Sequence, residues 1–389
     1  MRRFLLVARV FVVRLVHGVA RGLPIQERVV LATSHSDVLT GNLAWIRDEL
    51  ARRTPHVRIV TIASRPRTGP RGIARAAATA IRGSYYLATS RVFVVDDNFP
   101  IFAVRRRPGT TLVQAWHAAG AFKKVRYSLV GKSFGAAATS LEPIAANYDI
   151  CLVSSLSFAP YYSEAFRLPL DRFVSTIGIP RTDVFFGAHR AAALSRAKSR
   201  YPAVDGRTVV LYAPTFRGDT FIDARDGALL DLRVLKEKLG RDHVVMLRLH
   251  PVVQERAALD ASLRDFVIDA SGDPDVNELM LVSDVLVTDY SSVIFEFALL
   301  ERPMVFFAPD LEAYERERGF YFDYRSGVPG PVLETSEAVA EVLRAGRFDL
   351  DRVRAFAKSS FDVADGRSSG RFVDQIVMPM LAAGGAARQ

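Results

Sequence analysis

Asp284-Val-Leu-Val-Thr288-Asp289-Tyr290-Ser291-Ser292-Val-Ile-Phe-Glu296-Phe-Ala-Leu-Leu300 holds a complete strand-to-helix junction. An apolar, β-branched run stops at Thr288, a polar and hydroxylated stretch follows, and an apolar helical segment starts at once. A strand that is apolar on both faces and feeds directly into a helix belongs to a parallel sheet covered on both sides. Hydroxyls at the junction cap the helix and leave N–H groups at its positive end. That end suits an anion, a diphosphate above all, although a plain serine cap gives the same pattern. Glu296, one turn in, suits a ribose or polyol hydroxyl, or a salt bridge on the helix face.

Working outward, two more strands of the same block end in unusual polar residues. Leu247-Arg-Leu-His250-Pro251 delivers a histidine that either donates to a phosphate oxygen or serves the structure. Tyr212-Ala-Pro214-Thr215-Phe216-Arg217 brings Thr215 and Arg217 to the same rim, and a guanidinium matches paired phosphate oxygens. The predicted strands of this block are 208–214, 244–250, 266–269, 285–289 and 304–308. An earlier block has strands at 29–33, 57–62, 92–96, 111–116, 150–153 and 174–178. Helices are expected at 41–52, 188–200, 229–239, 292–300, 335–345, 351–358 and 368–380. Strand and helix alternate throughout, which gives an α/β chain of two Rossmann-like domains whose parallel sheets face a central cleft. The boundaries read as an amphipathic helix at 1–24, an acceptor-side domain at 25–195 and a donor-binding domain at 196–365. The segment 366–389 reads as a helix crossing back to the first domain.

In the front block, Thr111-Leu-Val-Gln114-Ala-Trp116-His117 is a strand that carries Trp116 and His117 to its end, where Trp116, like Lys123 and Lys124 after it, is read as an acceptor-side residue. His117 there suits a base that removes a proton from an acceptor hydroxyl. Lys123 and Lys124 follow; they either neutralise an incoming phosphate or are simply solvated.

The totals agree with two domains: 389 residues, 49% hydrophobic and 24% charged, exceed what one core organises. The single cysteine, Cys151, lies in an apolar run and rules out an internal disulfide framework. Net charge is +10, and residues 1–110 hold 19 Lys/Arg against 6 Asp/Glu, a balance of +13. The basic front half calls for an anionic partner, namely lipid or a phosphate polymer; no zinc spacing or RNP-like aromatic pattern points to nucleic acid. In Met1–Leu23 the basic residues Arg2, Arg3, Arg9, Arg14, His17 and Arg21 share an arc of roughly 140°. Phe4, Leu5, Ala8, Phe11, Val12, Leu15 and Val16 fill the other side. The run is too interrupted to span a bilayer, so it is read as a helix lying at an anionic membrane surface; packing on the protein body is the alternative. A second basic helix, through Arg71, Arg75 and Arg82, either extends that surface or is solvated.

Three motifs are decoys. Gly131-Lys132-Ser133 lacks the first glycine of a P-loop, since Arg126 stands there. Ser133 has no strand leading into it, as a nucleophile elbow requires. Asp273-Pro-Asp275 reads as a turn and helix cap rather than a metal pair. No metal-ligand spacing and no cofactor signature is present.

Taken in order, these motifs resemble the CDP-glycerol glycerophosphotransferase family, the teichoic-acid polymerases and primases. The matching segments are Gln114–His117, Ile179-Pro-Arg-Thr-Asp183, Ala213–Arg217, Leu247–Pro251, Val287–Ser292, Arg302-Pro-Met-Val-Phe-Phe, Arg318-Gly-Phe-Tyr-Phe-Asp323-Tyr324 and Asp365-Gly366-Arg-Ser-Ser369. They cover roughly 85 to 378; Ala118 stands where the family has glycine. The resemblance implies a GT-B fold, His117 as acceptor-activating base and His250 as phosphate ligand. It also implies Thr288, Ser291 and Ser292 around the diphosphate, and Asp365 and Gly366 near the donor. The expected reaction moves glycerol phosphate or a related polyol phosphate from CDP-glycerol or CDP-ribitol to a lipid-linked glycan or polyol-phosphate acceptor. CMP leaves, in teichoic-acid-like or capsule synthesis at the cytoplasmic face of the membrane. The alternatives are a GT-B glycosyltransferase using a nucleotide sugar and a non-catalytic module that binds anionic polymer at a membrane.

Overall fold

The computed structural model describes residues 2–67, 69–97, 99, 104–130, 147–217, 230–250 and 260–386; the side chains of 2–9 and 384–386 are outside the description. The Gly131-Lys132-Ser133 segment, Pro251 and the side chains of Arg2, Arg3, Phe4, Leu5, Ala8 and Arg9 therefore lie outside it.

The chain divides into two compact units, each built on a six-stranded parallel sheet. The first unit comprises Met1–Ala119, Ala138–Asp183 and Asp362–Gln389, and the second Gly120–Ala137 and Val184–Phe361. The first sheet contains β1 (Gln26–Thr33), β2 (Arg58–Ala63), β3 (Ser90–Val95), β4 (Thr111–Gln114), β5 (Ile150–Leu152) and β6 (Phe173–Val174), in the order β2-β1-β3-β4-β5-β6. The second contains β7 (Thr208–Ala213), β8 (His243–Leu247), β9 (Val267–Asp269), β10 (Val285–Thr288), β11 (Met304–Phe307) and β12 (Val332–Leu333), in the order β12-β11-β10-β7-β8-β9. Both orders reverse beside a central strand, between β1 and β3 and between β7 and β10. Ligand crevices open at such reversals, beyond the strands' carboxyl ends.

Burial follows from composition. Val29–Ala32 and Val92–Val95 are almost wholly buried in the first core. In the second, Val210, Val245, Val287 and Val305 pack against Leu235 and Val339 of the covering helices Leu232–Leu239 and Ser336–Ala345. Valine dominates because a β-branched side chain suits a pleated surface buried on both faces.

Local chemistry accounts for the differences from the predicted elements. β4 stops at Gln114 because Trp116 takes a left-handed φ of 52°. β6 is cut short by a turn in which Gly178, at φ 77°, donates to the Ser175 carbonyl. β12 is too short to leave a periodic signal, yet the carbonyls of Pro331 and Leu333 take the N–H groups of Phe306 and Ala308. The helix expected at 368–380 has a π turn at Val373–Val377, directly ahead of Pro379, which has no N–H to continue the ladder. Asp275 caps the helix Val276–Val282 through the Asn277 N–H at 2.9 Å.

The N-terminal helix Arg2–Ala20 packs on Gly69–Thr89 with Val13, His17 and Ala20 buried. His17, assigned to the basic arc by helical periodicity, thus lies inward, and burial lowers its pKa to about 4. Phe11, Leu15 and Val19 face solvent at 65, 55 and 71% exposure. Among the described side chains the helix therefore turns Phe11, Leu15 and Val19 outward, the reverse of an ordinary amphipathic helix packed on a body, while Val12 and Val16 are half-buried. Ile73 and Ile81 of the adjoining helix are also exposed. Arg75 is tied to Asp37 at 2.6 Å and Arg82 donates to the Thr61 carbonyl. No helix among the described residues is long and apolar enough to cross a membrane.

Candidate active site

In the first unit, the site forms where β1, β3 and β4 end. Beyond β4 the Gln114 side chain accepts the Trp116 N–H at 3.0 Å, and Asn42 donates to the carbonyls of Ala115 and Trp116 at 2.9 Å. Asn42 in turn accepts the Arg181 N–H at 3.0 Å. This bracing holds the left-handed Trp116, a conformation a bulky residue keeps only when its surroundings fix it. The Trp116 ring, expected to serve the acceptor, is instead buried: it packs edge-on to Phe166 and lies 4.3 Å beneath the His117 ring.

His117 Nδ1 is 3.0 Å from the Asp96 carbonyl. A carbonyl only accepts, so Nδ1 carries the hydrogen and Nε2 keeps its lone pair. The residue is exposed by surface area yet ringed by protein. That surrounding desolvation lowers its pKa; Asp97 acts in the opposite direction and the charge of His35 in the same one. His35, Asp96 and Asp97 were not singled out from the sequence. The available signal was polar residues at the ends of β1 and β3, in Thr33-Ser-His35 and Asp96-Asp97.

In the second unit, Ala213 of β7 stands opposite Thr288 of β10, so the two polar strand ends adjoin. Asp289 is their hub: it accepts the Thr215 N–H at 2.8 Å and hydroxyl at 2.9 Å, and Arg217 at 3.0 Å. Arg217 also donates to both oxygens of Asp310, at 2.7 and 3.0 Å, and its guanidinium lies 5.0 Å from the rings of Tyr290 and Tyr314. Tyr290 donates to Asp310 and Tyr324 to the Asp289 carbonyl, each at 2.8 Å. Burial opposes ionisation of Asp310, but the Arg217 bond and charge outweigh it and hold the carboxyl below its ordinary range.

Several residues expected to touch the donor turn out to build this frame. Arg217 spends its donors on carboxylates, and Thr215 spends its hydroxyl on Asp289. Thr288 is buried and donates to the Ala213 carbonyl at 2.6 Å. Glu296 is 1% exposed, so it lies on neither an open helix face nor a surface that a polyol reaches. Ser291 and Ser292 are half-buried at the head of the short helix Val293–Ala298; Ser291 Oγ accepts the Val293 N–H at 3.4 Å, and Ser292 makes no capping bond. His250 follows β8 with its ring 4.8 Å from Phe216, and the strand end before it is anchored by Ser271, which accepts the Leu249 N–H at 3.0 Å.

The segment 120–130, read from the sequence as part of the front domain, clusters with the second unit. Gly120 lies on the Phe295 ring so closely that a Cβ would come within 2.5 Å. Phe122 stacks on Phe322 and Tyr324, and Lys123 pairs with Phe320 in an antiparallel bridge. This explains the aromatic motif 318–324. Lys123 is half-buried; desolvation first, then Arg318 and Arg217, lower its pKa to about 7 against the pull of Asp289. Lys124 is half-buried, and its N–H donates to the Gly319 carbonyl at 3.1 Å.

Asp365 and Gly366 belong to the first unit, and Thr288–Ser292 to the second. Asp365 is held bidentately by Arg371 at 2.8 and 2.9 Å, and Gly366 has φ 78°. Asp183 accepts the N–H groups of Ser368 and Ser369 at 2.9 and 2.8 Å, so the 179–183 and 365–369 motifs brace each other. Among the described residues no group of three or more His, Cys, Asp or Glu side chains is arranged to hold a metal ion.

The first unit carries an imidazole whose Nδ1 faces the Asp96 carbonyl, and the second carries Lys123 near Arg318 and Arg217 and the hydroxyls of Ser291 and Ser292 after β10. Residues 16–378 match the sequence profile of the family described as CDP-Glycerol:Poly(glycerophosphate) glycerophosphotransferase. The teichoic acid ribitol-phosphate primase of Bacillus spizizenii is 38% identical over 383 residues, covering 95% of this chain and 97% of the relative. The teichoic acid poly(ribitol-phosphate) polymerase of the same organism is 35% identical, covering 93% of this chain and 58% of the relative. A solved structure of the wall teichoic acid polymerase TagF matches with a TM-score of 0.78 at 22% identity, over 98% of this chain and 96% of that one. This last likeness shows the fold, two Rossmann-like units of the GT-B class.

Proposed function

The chain belongs to the CDP-glycerol:poly(glycerophosphate) glycerophosphotransferase family, and from that premise we propose that it transfers a polyol phosphate from a CDP-activated donor to a hydroxyl of a membrane-linked acceptor. Ribitol phosphate is the favoured group, because the relatives of 38 and 35% identity act on it. The acceptor oxygen forms a bond to the phosphorus bearing the polyol, the bond from that phosphorus to the bridging oxygen breaks, and CMP leaves.

One observation carries the reading: the Asp96 carbonyl fixes the His117 tautomer with Nε2 free to take the acceptor's proton. The second unit supplies the donor groups. Ser291, Ser292 and His250 bond phosphate oxygens, while Lys123 meets the diphosphate charge. Its depressed pKa supports this, since an anion among Lys123, Arg318 and Arg217 would relieve their mutual repulsion. Phe11, Leu15 and Val19, flanked by exposed Arg14 and Arg21, support a peripheral seat on anionic lipid at the cytoplasmic face, where a lipid-linked acceptor would be met.

The test incubates the protein with CDP-ribitol or CDP-glycerol and a lipid-linked acceptor, and follows the nucleotide by mass. CMP is the expected product, whereas a nucleoside diphosphate would overturn the reaction class. His117→Ala is expected to slow turnover by about 10²–10⁴ while CDP-polyol binding persists; unchanged turnover removes His117 from the mechanism.

A further inference from the structure

Beside His117 stands a titratable cluster that the proposed reaction leaves unused. β1 and β3 are neighbours at the reversal of the first sheet, with Ala32 opposite Val95. Their ends therefore bring His35 against Asp96 and Asp97. His35 Nε2 is 3.5 Å from Asp96 Oδ2, and Nδ1 is 3.8 Å from Asp97 Oδ2. The His35 and His117 rings meet edge-on with centroids 5.6 Å apart. The Asp96 side chain is 3% exposed, and its Oδ1 has no hydrogen-bond partner among the described residues. A dry carboxylate in that position depends on a nearby cation.

We propose that His35 is a positioning residue for His117: as an imidazolium between Asp96 and Asp97 it balances their charge, keeps the His117 ring neutral, and so sets the acid limit of turnover. This rests on the reading of His117 as the acceptor-activating base.

The charges around His117 come from every side of the cluster: His35 after β1, Asp96 and Asp97 after β3, and Arg181 on the turn Pro180–Phe185. Two cations face two carboxylates, so the surroundings are close to neutral and desolvation of His117 decides its state. Burial opposes charge on His35, but the bond to Asp97 and the charges of Asp96 and Asp97 outweigh it and raise its pKa. Burial likewise raises Asp96 to about 6, against the charge of His35 and a bond from Thr33. Loss of His35 removes a positive charge from beside His117 and so favours its imidazolium. Without Asp97 a net positive charge remains and disfavours it. The two changes act in opposite directions, which a loss of packing does not produce.

The test is the pH dependence of kcat/KM for CMP release by the full chain. His35→Gln is expected to move the acid limb up by about one pH unit, the effect of a unit charge at this separation in a partly solvated site. Asp97→Asn is expected to move it down by a similar amount. The His117 titration followed by NMR in the same variants should shift likewise, and it gives the answer where turnover is too low for a profile; where one variant does not fold, the sign of the shift in the other decides. Opposite shifts support the inference; no shift, or shifts in one direction, overturns it. If His117→Ala keeps its turnover, the underlying reading fails instead, and the two failures are distinguishable.

Discussion

Arg217→Met keeps an unbranched aliphatic side chain beside the stacked rings of Tyr290 and Tyr314 and removes the charge. The guanidinium makes one charge-assisted bond to Asp289 and two to Asp310, at 2.7–3.0 Å. Such bonds contribute about 1.5–3 kcal/mol each, but the Asp310 side chain is 32% exposed and its pair must be discounted for water. Asp289, at 4%, loses the cation of a buried pair, a change that costs about 3–5 kcal/mol. Thr215 still donates twice to Asp289, so the lower end applies, and the second unit should lose about 3 kcal/mol. The pH dependence follows from Asp310, whose folded pKa lies below its ordinary value of about 4. A depressed carboxyl contributes stability that is complete above the unfolded pKa and lost as pH falls through the folded one. The gap between wild type and variant, measured by urea unfolding, should thus hold from about pH 8 to 5 and narrow below about 4. A gap under about 1 kcal/mol at neutral pH, combined with loss of CDP-polyol binding, would refute the framing role and return Arg217 to the phosphate.

Two further outcomes are expected. Gly120→Ala drives a methyl to within 2.5 Å of Phe295, which is fully buried and stacked on Phe356, so unfolding measurements should show a loss of about 1–3 kcal/mol; wild-type stability would mean the loop 120–130 yields freely. Replacing Phe11, Leu15 and Val19 together by Ser should weaken sedimentation with anionic vesicles by roughly 100-fold, about 1 kcal/mol for each side chain inserted. Unchanged partition would assign the stripe another role.

The strand ends were legible because their signals are local. A β-branched run followed by polar residues and a helix marks the carboxyl edge of a parallel sheet, and that rule picked out His117, His250 and Thr288–Ser292 directly. It did not separate residues that face a ligand from those that hold the frame. Thr215, Arg217 and Thr288 have the side chains of phosphate ligands, and only their partners show that these groups are already engaged. The outward apolar stripe of the first helix was likewise legible as periodicity but not as direction, since period alone does not say which arc meets the body.

The sequence by itself determined the α/β alternation, the two blocks and the family, because periodicity, junction chemistry and ordered motifs are encoded within a few residues of one another. Tertiary structure alone decided the charge balance. His35 reaches Asp96 across 61 positions, Arg217 reaches Asp310 across 93, and Asp183 reaches Ser368 across 185. Strand order sets those meetings, and hydrogen bonds and ion pairs act only over a few ångströms of space, whatever the distance along the chain.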